Sequence, residues 1–184
     1  LLSIKLGEEN QRDASKIFGN TIGLGIILAI ITFITLFLTL DPALTLFGAK
    51  AETLGPASSY MKIIIFGFFF QMIGFSLNNS VRAEGHPMLA MTAMITSAVT
   101  NIILDYIFIV LLGWGVQGAA LATIIGQFVG FSILVSFYMR GKSILKPILG
   151  DFIPRLKVTL RIFVVGFSTF IGTIGVSLSL ALIN

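Results

Sequence analysis

Residues 87–139 read PMLAMTAMITSAVTNIILDYIFIVLLGWGVQGAALATIIGQFVGFSILVSFYM, and Asp105 is the single charged residue among them. This stretch is too long for one membrane helix, because about 20 residues cross the hydrocarbon core of a bilayer. The tripeptide Gly113-Trp114-Gly115 near its middle is typical of a tight turn. The stretch therefore predicts an antiparallel hairpin of two membrane-spanning helices, 87–112 and 116–139.

Three other parts of the chain are also almost free of charge, and they cover 17–40, 63–81 and 162–184. Each of these stretches is long enough to cross a bilayer as a helix. The whole chain is 56% hydrophobic and only 11% charged, with a mean hydropathy of +1.02. A soluble domain needs more charge to cover its surface. The sequence predicts an all-α membrane protein with five transmembrane helices, for which the lipid bilayer is the solvent.

The basic residues between these stretches predict an orientation. By alternation of the spans, Lys50 and Lys62 lie on one side of the membrane. The other side carries all the remaining basic residues, which are Lys5, Arg12, Lys16, Arg82, Arg140, Lys142, Lys146, Arg155, Lys157 and Arg161. Cytoplasmic loops are enriched in Lys and Arg, so the start of the chain and 140–161 are expected to be cytoplasmic. Topology thus explains the net charge of +4, and no nucleic-acid partner is expected.

Several classes of function find no support in the sequence. It has no cysteine and one histidine, and it shows no nucleophile–base pair, metal-ligand cluster or nucleotide-binding motif. We therefore expect neither an enzyme nor a cofactor. Because Leu1 is not a start residue and the last span reaches Asn184 without a closing loop, we expect the chain to be an excerpt from a longer protein.

The polar connection 140–161 admits two interpretations. Apolar residues recur there at helical spacing between basic ones, from Ile144 to Leu156. This pattern is typical of an amphipathic segment lying on the inner membrane surface. The connection could equally mark a boundary between two lobes.

Asp105 is the residue most indicative of function. A carboxylate near the centre of a bilayer costs at least about 2.5 kcal/mol, so it needs a partner or a purpose. Asn101 lies four residues earlier and therefore shares a helix face with Asp105. Counted from the turn, Thr123 lies at the depth of Asp105, and Gln127 at the depth of Asn101, at 1.5 Å of rise per residue. The hairpin thus predicts an oxygen-rich cluster of these four residues.

Such a cluster fits two chemistries. A carboxylic acid removed from water binds a proton more readily, which makes Asp105 a candidate proton carrier. Alternatively, the carboxylate, the Asn101 amide and the Thr123 hydroxyl are hard oxygen ligands suited to an alkali cation such as Na⁺. A third, purely structural interpretation is that these polar groups only hold helices together by hydrogen bonds.

Three motifs, in order, resemble those of the multidrug and toxic compound extrusion (MATE) transporters. They are VRAEGHPMLAM at 81–91, NIILD at 101–105 and GWGVQGAALAT at 113–123. The resemblance implies a twelve-helix transporter with two lobes. It assigns 1–139 to the amino-terminal lobe, 140–161 to a cytoplasmic linker between the lobes, and 162–184 to the first helix of the carboxy-terminal lobe. The other helices of the same polypeptide would then be partners of this chain.

The resemblance also implies a cation site in the amino-terminal lobe, to which Asn101, Asp105 and Thr123 correspond. Two departures matter: the acid that the family carries on its first helix is absent from this sequence, and Tyr106 stands where many relatives have Pro. The implied function is Na⁺- or H⁺-coupled efflux of cationic amphipathic drugs by antiport, in the plasma (inner) membrane. Two alternatives remain, a lipid-linked oligosaccharide flippase of the same superfamily and a non-transporting membrane scaffold.

Overall fold

The structure, a computed structural model, describes residues 1–167, and all the regular secondary structure in them is helical. The chain is an all-α membrane protein, as the sequence predicts. The predicted span 162–184 lies outside the described residues from 168 onward. The α-helices are α1 (Leu2–Gly7), α2 (Gln11–Leu46), α3 (Ala51–Ala83), α4 (Pro87–Asp105) and α5 (Gly115–Met139), and a further helical stretch covers 156–167.

Within the described residues, four helices are long and apolar enough to cross a membrane. They are Gln11–Leu46, Glu52–Ala83, Pro87–Leu111 and Gly115–Met139, the third of which joins α4 to the π-helix Tyr106–Leu111. Each contains most or all of one charge-free stretch of the sequence. The helices extend beyond those stretches because polar residues at both ends join the helices without having to enter hydrocarbon.

The dipeptide Asp41-Pro42 does not end the first span, although it is a common helix stop. α2 continues through Pro42 to Leu46. Membrane helices tolerate an internal proline, because unwinding there would expose more backbone polar groups to lipid. The Asp41 carboxylate does not need to leave the helix either, since the Ser58 hydroxyl of α3 donates a hydrogen bond to it at 2.7 Å.

α5 packs against both α3 and α4 through small side chains. Its buried residues include Gly118, Ala120, Gly126 and Gly130. A Cβ atom added at Gly126 would lie 2.8 Å from the Ser97 carbonyl oxygen of α4. Lipid gives helices no hydrophobic reason to associate, so backbone contact of this kind supplies much of the attraction. The glycines therefore determine how closely the α4–α5 hairpin can pack.

The chain divides into two compact units. One combines residues 1–24 with the described residues from 145 onward, and the other comprises residues 25–144. The first unit thus holds the amino-terminal part of α2 together with residues 145–161. The second unit holds the rest of α2 and all of α3, α4 and α5.

The linker does not form the continuous amphipathic helix that the spacing of its apolar residues suggests. Between 145 and 155 the structure has only the short 3₁₀ turn Leu149–Asp151. The backbone is held against α2 instead: the Ser15 hydroxyl accepts a hydrogen bond from the Lys146 amide at 3.0 Å, and the Asn20 side-chain amide donates to the Ile153 carbonyl at 3.3 Å. Hydrogen bonds to α2 here replace those that a helix would make within itself.

An ion pair between an exposed arginine and a buried carboxylate holds the same contact. The Arg12 guanidinium donates two hydrogen bonds to the Asp151 carboxylate, at 2.6 and 3.1 Å, and the Ile148 amide donates a third at 3.0 Å. The Asp151 side chain is fully buried. Burial opposes its ionisation, but the hydrogen bonds from Arg12 and Ile148 outweigh burial and hold the pKa of Asp151 below its ordinary value.

We expect Asp151→Asn to lower the thermal unfolding midpoint of the protein at neutral pH, because Arg12 loses a charged partner. The pKa of Asp151 is lower in the folded protein than in the unfolded chain, where an aspartate has a pKa of about 4. The ionised carboxylate therefore stabilises the fold above about pH 4, and this stabilisation is lost as the pH falls through the pKa of the folded state. Acidification should therefore destabilise the wild type more than the variant.

The matched control for this measurement is Asp13→Asn. Asp13 also pairs with a basic residue, Lys16, at 2.9 Å, but both side chains are exposed. Exposed ion pairs contribute little, so the unfolding midpoint of this variant should stay close to that of the wild type. Equal midpoints for the Asp13 and Asp151 variants would contradict a stabilising role for the pair that Asp151 forms with Arg12.

Candidate functional site

Asp105 is the last α-helical residue before a wider helical turn. The π-helix Tyr106–Leu111 follows it, and the Leu112 amide donates to the Ile107 carbonyl at 2.9 Å. Gly113 and Gly115 then turn the chain with φ angles of 67° and 55°, a backbone conformation that glycine adopts without strain. Local π-helical turns are frequent at functional sites.

Asn101 and Thr123 are in contact across the hairpin. The Asn101 side-chain amide donates to the Thr123 hydroxyl oxygen at 3.4 Å. Thr123 in turn donates its hydroxyl proton to the Ala119 carbonyl at 2.9 Å. The Thr123 oxygen thus points toward α4, and the Asn101 carbonyl oxygen stays available for another partner.

The register of the hairpin lies close to the one obtained by counting residues. A Cβ at Gly126 would lie 3.2 Å from the Asn101 Cβ, and one at Gly130 would lie 3.0 Å from the Ser97 Cβ. The backbone of Asn101 thus lies beside Gly126, next to Gln127, near the depth that the count gives. The Asn101 side-chain amide then reaches one turn along α5 to the Thr123 hydroxyl.

Two side-chain oxygens at this level are buried without a hydrogen-bond donor among the described residues. They are Oδ1 of Asp105 and Oε1 of Gln127. An unpaired buried acceptor costs about 1–3 kcal/mol, and more when it is charged. Both oxygens are therefore suited to accept a proton donor or a cation.

A cavity of about 590 Å³ opens between α3, α4 and α5, and three of the four predicted site residues line it. Those three are Asn101, Thr123 and Gln127; Asp105 is not one of the lining residues. The other lining residues are Phe70, Gln71, Gly74, Phe75, Asn78, Asn79, Arg82, Ala93, Met94, Ser97, Ala98, Gly130, Phe131 and Leu134. The predicted cluster thus divides into a cavity wall and a neighbouring buried carboxylate.

The donor set favours a light cation over a transition metal. Asp105, Asn101 and Thr123 offer a carboxylate, an amide oxygen and a hydroxyl, which are hard ligands. In the part of the chain that the structure describes, no group of three His, Cys, Asp or Glu side chains could hold a metal ion. The site therefore fits an alkali cation or a proton better than zinc, copper or iron.

Arg82 also lines the cavity, although its place in the sequence predicts only the orientation of the chain in the membrane. Its Nε donates to the Asn78 Oδ1 at 3.0 Å, and the Asn78 amide donates to the Ala90 carbonyl at 2.9 Å. Asn78 precedes Arg82 by four residues, so both occupy one helix face. That spacing is the sequence signal that could have placed Arg82 beside the polar residues of α3.

The match to a family model identifies the proteins to which this chain is related. The model of the MatE family matches residues 1–107, which include Asn101 and Asp105. The chain belongs to the MATE family. This confirms the resemblance that its motifs show.

Curated relatives of this MATE chain are multidrug export proteins. MepA of Staphylococcus saprophyticus is 33% identical over 150 residues, which cover 82% of this chain and 33% of MepA. MepA of Staphylococcus aureus is 28% identical over 173 residues, which cover 94% of this chain and 38% of that protein. The MATE chain thus spans about a third of the length of these relatives.

Solved structures agree with the family assignment. A MATE transporter in the straight conformation has a TM-score of 0.86 at 27% identity, over 96% of this chain and 40% of that one. An inward-facing MATE family transporter has a TM-score of 0.83 at 28% identity, over 90% of this chain and 38% of that one. A transporter from Pyrococcus furiosus, for which reverse polarity of the binding pocket suggests a different function, has a TM-score of 0.83 at 29% identity, over 90% and 37%. These similarities place the MATE chain among membrane transporters.

Proposed function

We propose that the chain is part of a cation-coupled multidrug efflux antiporter that exports cationic amphipathic compounds. The observation that carries the proposal is the contact between Asn101 and Thr123, each of which lies one helical turn from a buried oxygen without a donor, that of Asp105 on α4 or of Gln127 on α5. Ionisable groups at membrane depth usually mark a transport path. The multidrug export relatives supply the substrate class, and nothing in the site requires a catalytic role.

The proposed mechanism couples charge at Asp105 to helix packing. Binding of Na⁺ or H⁺ neutralises the carboxylate, and the oxygens of Asn101, Thr123 and Gln127 complete the coordination or hydrogen bonding. When the cluster is neutral, α4 and α5 can adopt a packing that differs from the one they adopt when the cluster is charged. A cation that binds one arrangement better shifts the population toward it, which is the requirement for alternating access.

The proposal includes the larger architecture. The chain would supply most of an amino-terminal lobe (1–139), a cytoplasmic linker (140–161) and the first helix of a second lobe (162–184) in a twelve-helix transporter. It would lie in the plasma (inner) membrane, with the start of the chain and the linker in the cytoplasm. The density of basic residues in those two segments supports this orientation.

The test is transport by the complete protein in liposomes, with a fluorescent cation as the substrate and the Na⁺ and pH gradients collapsed separately. Collapse of one gradient should stop uphill efflux, and that gradient identifies the coupling ion. Efflux that survives loss of both gradients would contradict ion coupling. Translocation of a lipid-linked sugar without export of the cation would favour the flippase alternative, and transport of neither would favour a scaffold.

A further inference from the structure

One end of the cavity between α3, α4 and α5 carries a positive charge. Among its lining residues, Arg82 is the only one with a charged side chain. The polar remainder is neutral: carboxamides such as Gln71 and Asn79, and the hydroxyls of Ser97 and Thr123. A positive charge attracts anions to the part of the cavity around it.

The guanidinium of Arg82 is only partly satisfied by the protein. Besides the Nε bond to Asn78, its Nη2 lies 3.4 Å from the sulfur of Met94, which is a weak acceptor. Within the part of the chain that the structure describes, no carboxylate lies within ion-pair distance of Arg82. Arginine offers five donors in a planar fork, a geometry that matches phosphate and carboxylate oxygens.

Apolar surface adjoins this charge inside the same cavity. Phe75 and Met94 both line the cavity and are 72% and 57% exposed. Arg82 itself is exposed and lies one residue before the end of α3 at Ala83, the end that the charge distribution assigns to the cytoplasmic side. A ligand that fills this end should therefore combine an anionic head with an apolar body.

We propose that the Arg82 end of the cavity binds a phosphate-bearing amphiphile, with the phosphate on the guanidinium and the chain against Phe75 and Met94. Two or more charge-assisted N–H···O bonds would hold the phosphate, and van der Waals contact of the chain with the exposed apolar side chains would add to the affinity. This site takes a ligand opposite in charge to the proposed coupling ion. It does not depend on the proposed efflux activity.

The experiment measures ligand binding to the complete protein, purified in a neutral detergent, by isothermal titration. The three probes are dodecyl phosphate, inorganic phosphate and 1-dodecanol. We expect dodecyl phosphate to bind at least about tenfold more tightly than dodecanol, an amphiphile with the same chain and no charge. Binding of dodecyl phosphate no tighter than that of inorganic phosphate would overturn the apolar part of the proposal.

Variants locate the site. Arg82→Gln should weaken dodecyl phosphate binding at least about tenfold, and Arg82→Lys should retain part of it. Arg140→Gln is the matched control, because Arg140 is an exposed arginine beyond the end of α5 and does not line the cavity. Unchanged binding in Arg82→Gln, or an equal loss in Arg140→Gln, would overturn the proposal. If Arg82→Gln does not fold, the ranking of the three probes on the wild type still decides, since equal binding of the two amphiphiles excludes an anion site.

Discussion

Asp105→Asn is expected to abolish coupled efflux while leaving the protein folded and in the membrane. The substitution keeps the size of the side chain and removes its negative charge. Removing one charged partner from a buried pair costs about 2–5 kcal/mol, so the apparent affinity for the coupling ion should fall by roughly thirtyfold or more. Uphill export of a fluorescent cation from liposomes, measured against ion concentration, checks this expectation. Unchanged coupled efflux would remove Asp105 from the mechanism.

The matched control is Asp41→Asn. Asp41 is also a carboxylate in a membrane-length helix, but it already accepts a hydrogen bond from Ser58 at 2.7 Å. Asparagine can accept the same bond through its side-chain carbonyl. Export by this variant should match the wild type. A loss as large as that of the Asp105 variant would indicate that any charge change in these helices damages transport.

Among glycine-to-alanine substitutions in α2, Gly23→Ala is expected to cause the largest loss of stability. A Cβ at Gly23 would lie 1.8 Å from the Phe152 carbonyl oxygen, so the linker backbone would have to move. Overpacking of this kind costs about 1–3 kcal/mol, and displacing the linker also strains the buried contacts of Asp151. We expect the thermal unfolding midpoint in detergent to fall by roughly 5 °C or more.

Gly25→Ala is the control on the same helix. The nearest atom to a Cβ there is the Ser76 hydroxyl oxygen at 3.9 Å, which is ordinary van der Waals contact. Alanine is a better helix former than glycine by about 1 kcal/mol, so this variant should be as stable as the wild type or more stable. If both variants unfold at the same temperature, the close approach of Phe152 to α2 is not a constraint on the fold.

The sequence predicts the membrane helices and the hairpin because each depends on local chemistry. Long stretches without charge have no stable alternative to a helix in lipid, and Gly113 and Gly115 permit a turn that few other residues allow. Proximity of Asn101 to Thr123 follows from the same hairpin. Small residues at Gly126 and Gly130 indicate the face of α5 that packs against α4.

The remaining features depend on contacts between distant parts of the chain. No local pattern announces the π turns that follow Asp105, or that the Asn101 amide reaches Thr123 instead of Gln127. The linker has helical periodicity, but its contacts with Arg12 and Asn20 determine its backbone. Arg82 agrees with the positive-inside pattern, which is enough to explain its position in the sequence. Its place in the lining of a cavity becomes apparent only when α3, α4 and α5 are packed together.

The three-residue connection between the π-helix and α5 has a consequence for biosynthesis. Residues that touch across the hairpin, such as Phe108 and Gly118, are close in sequence, so little chain entropy opposes their meeting. The two helices can therefore pair as soon as the second has emerged from the ribosome, before α5 completes its contacts with α3. Lengthening this connection, residues 112–114, should delay insertion of the pair more than a similar change in any longer loop.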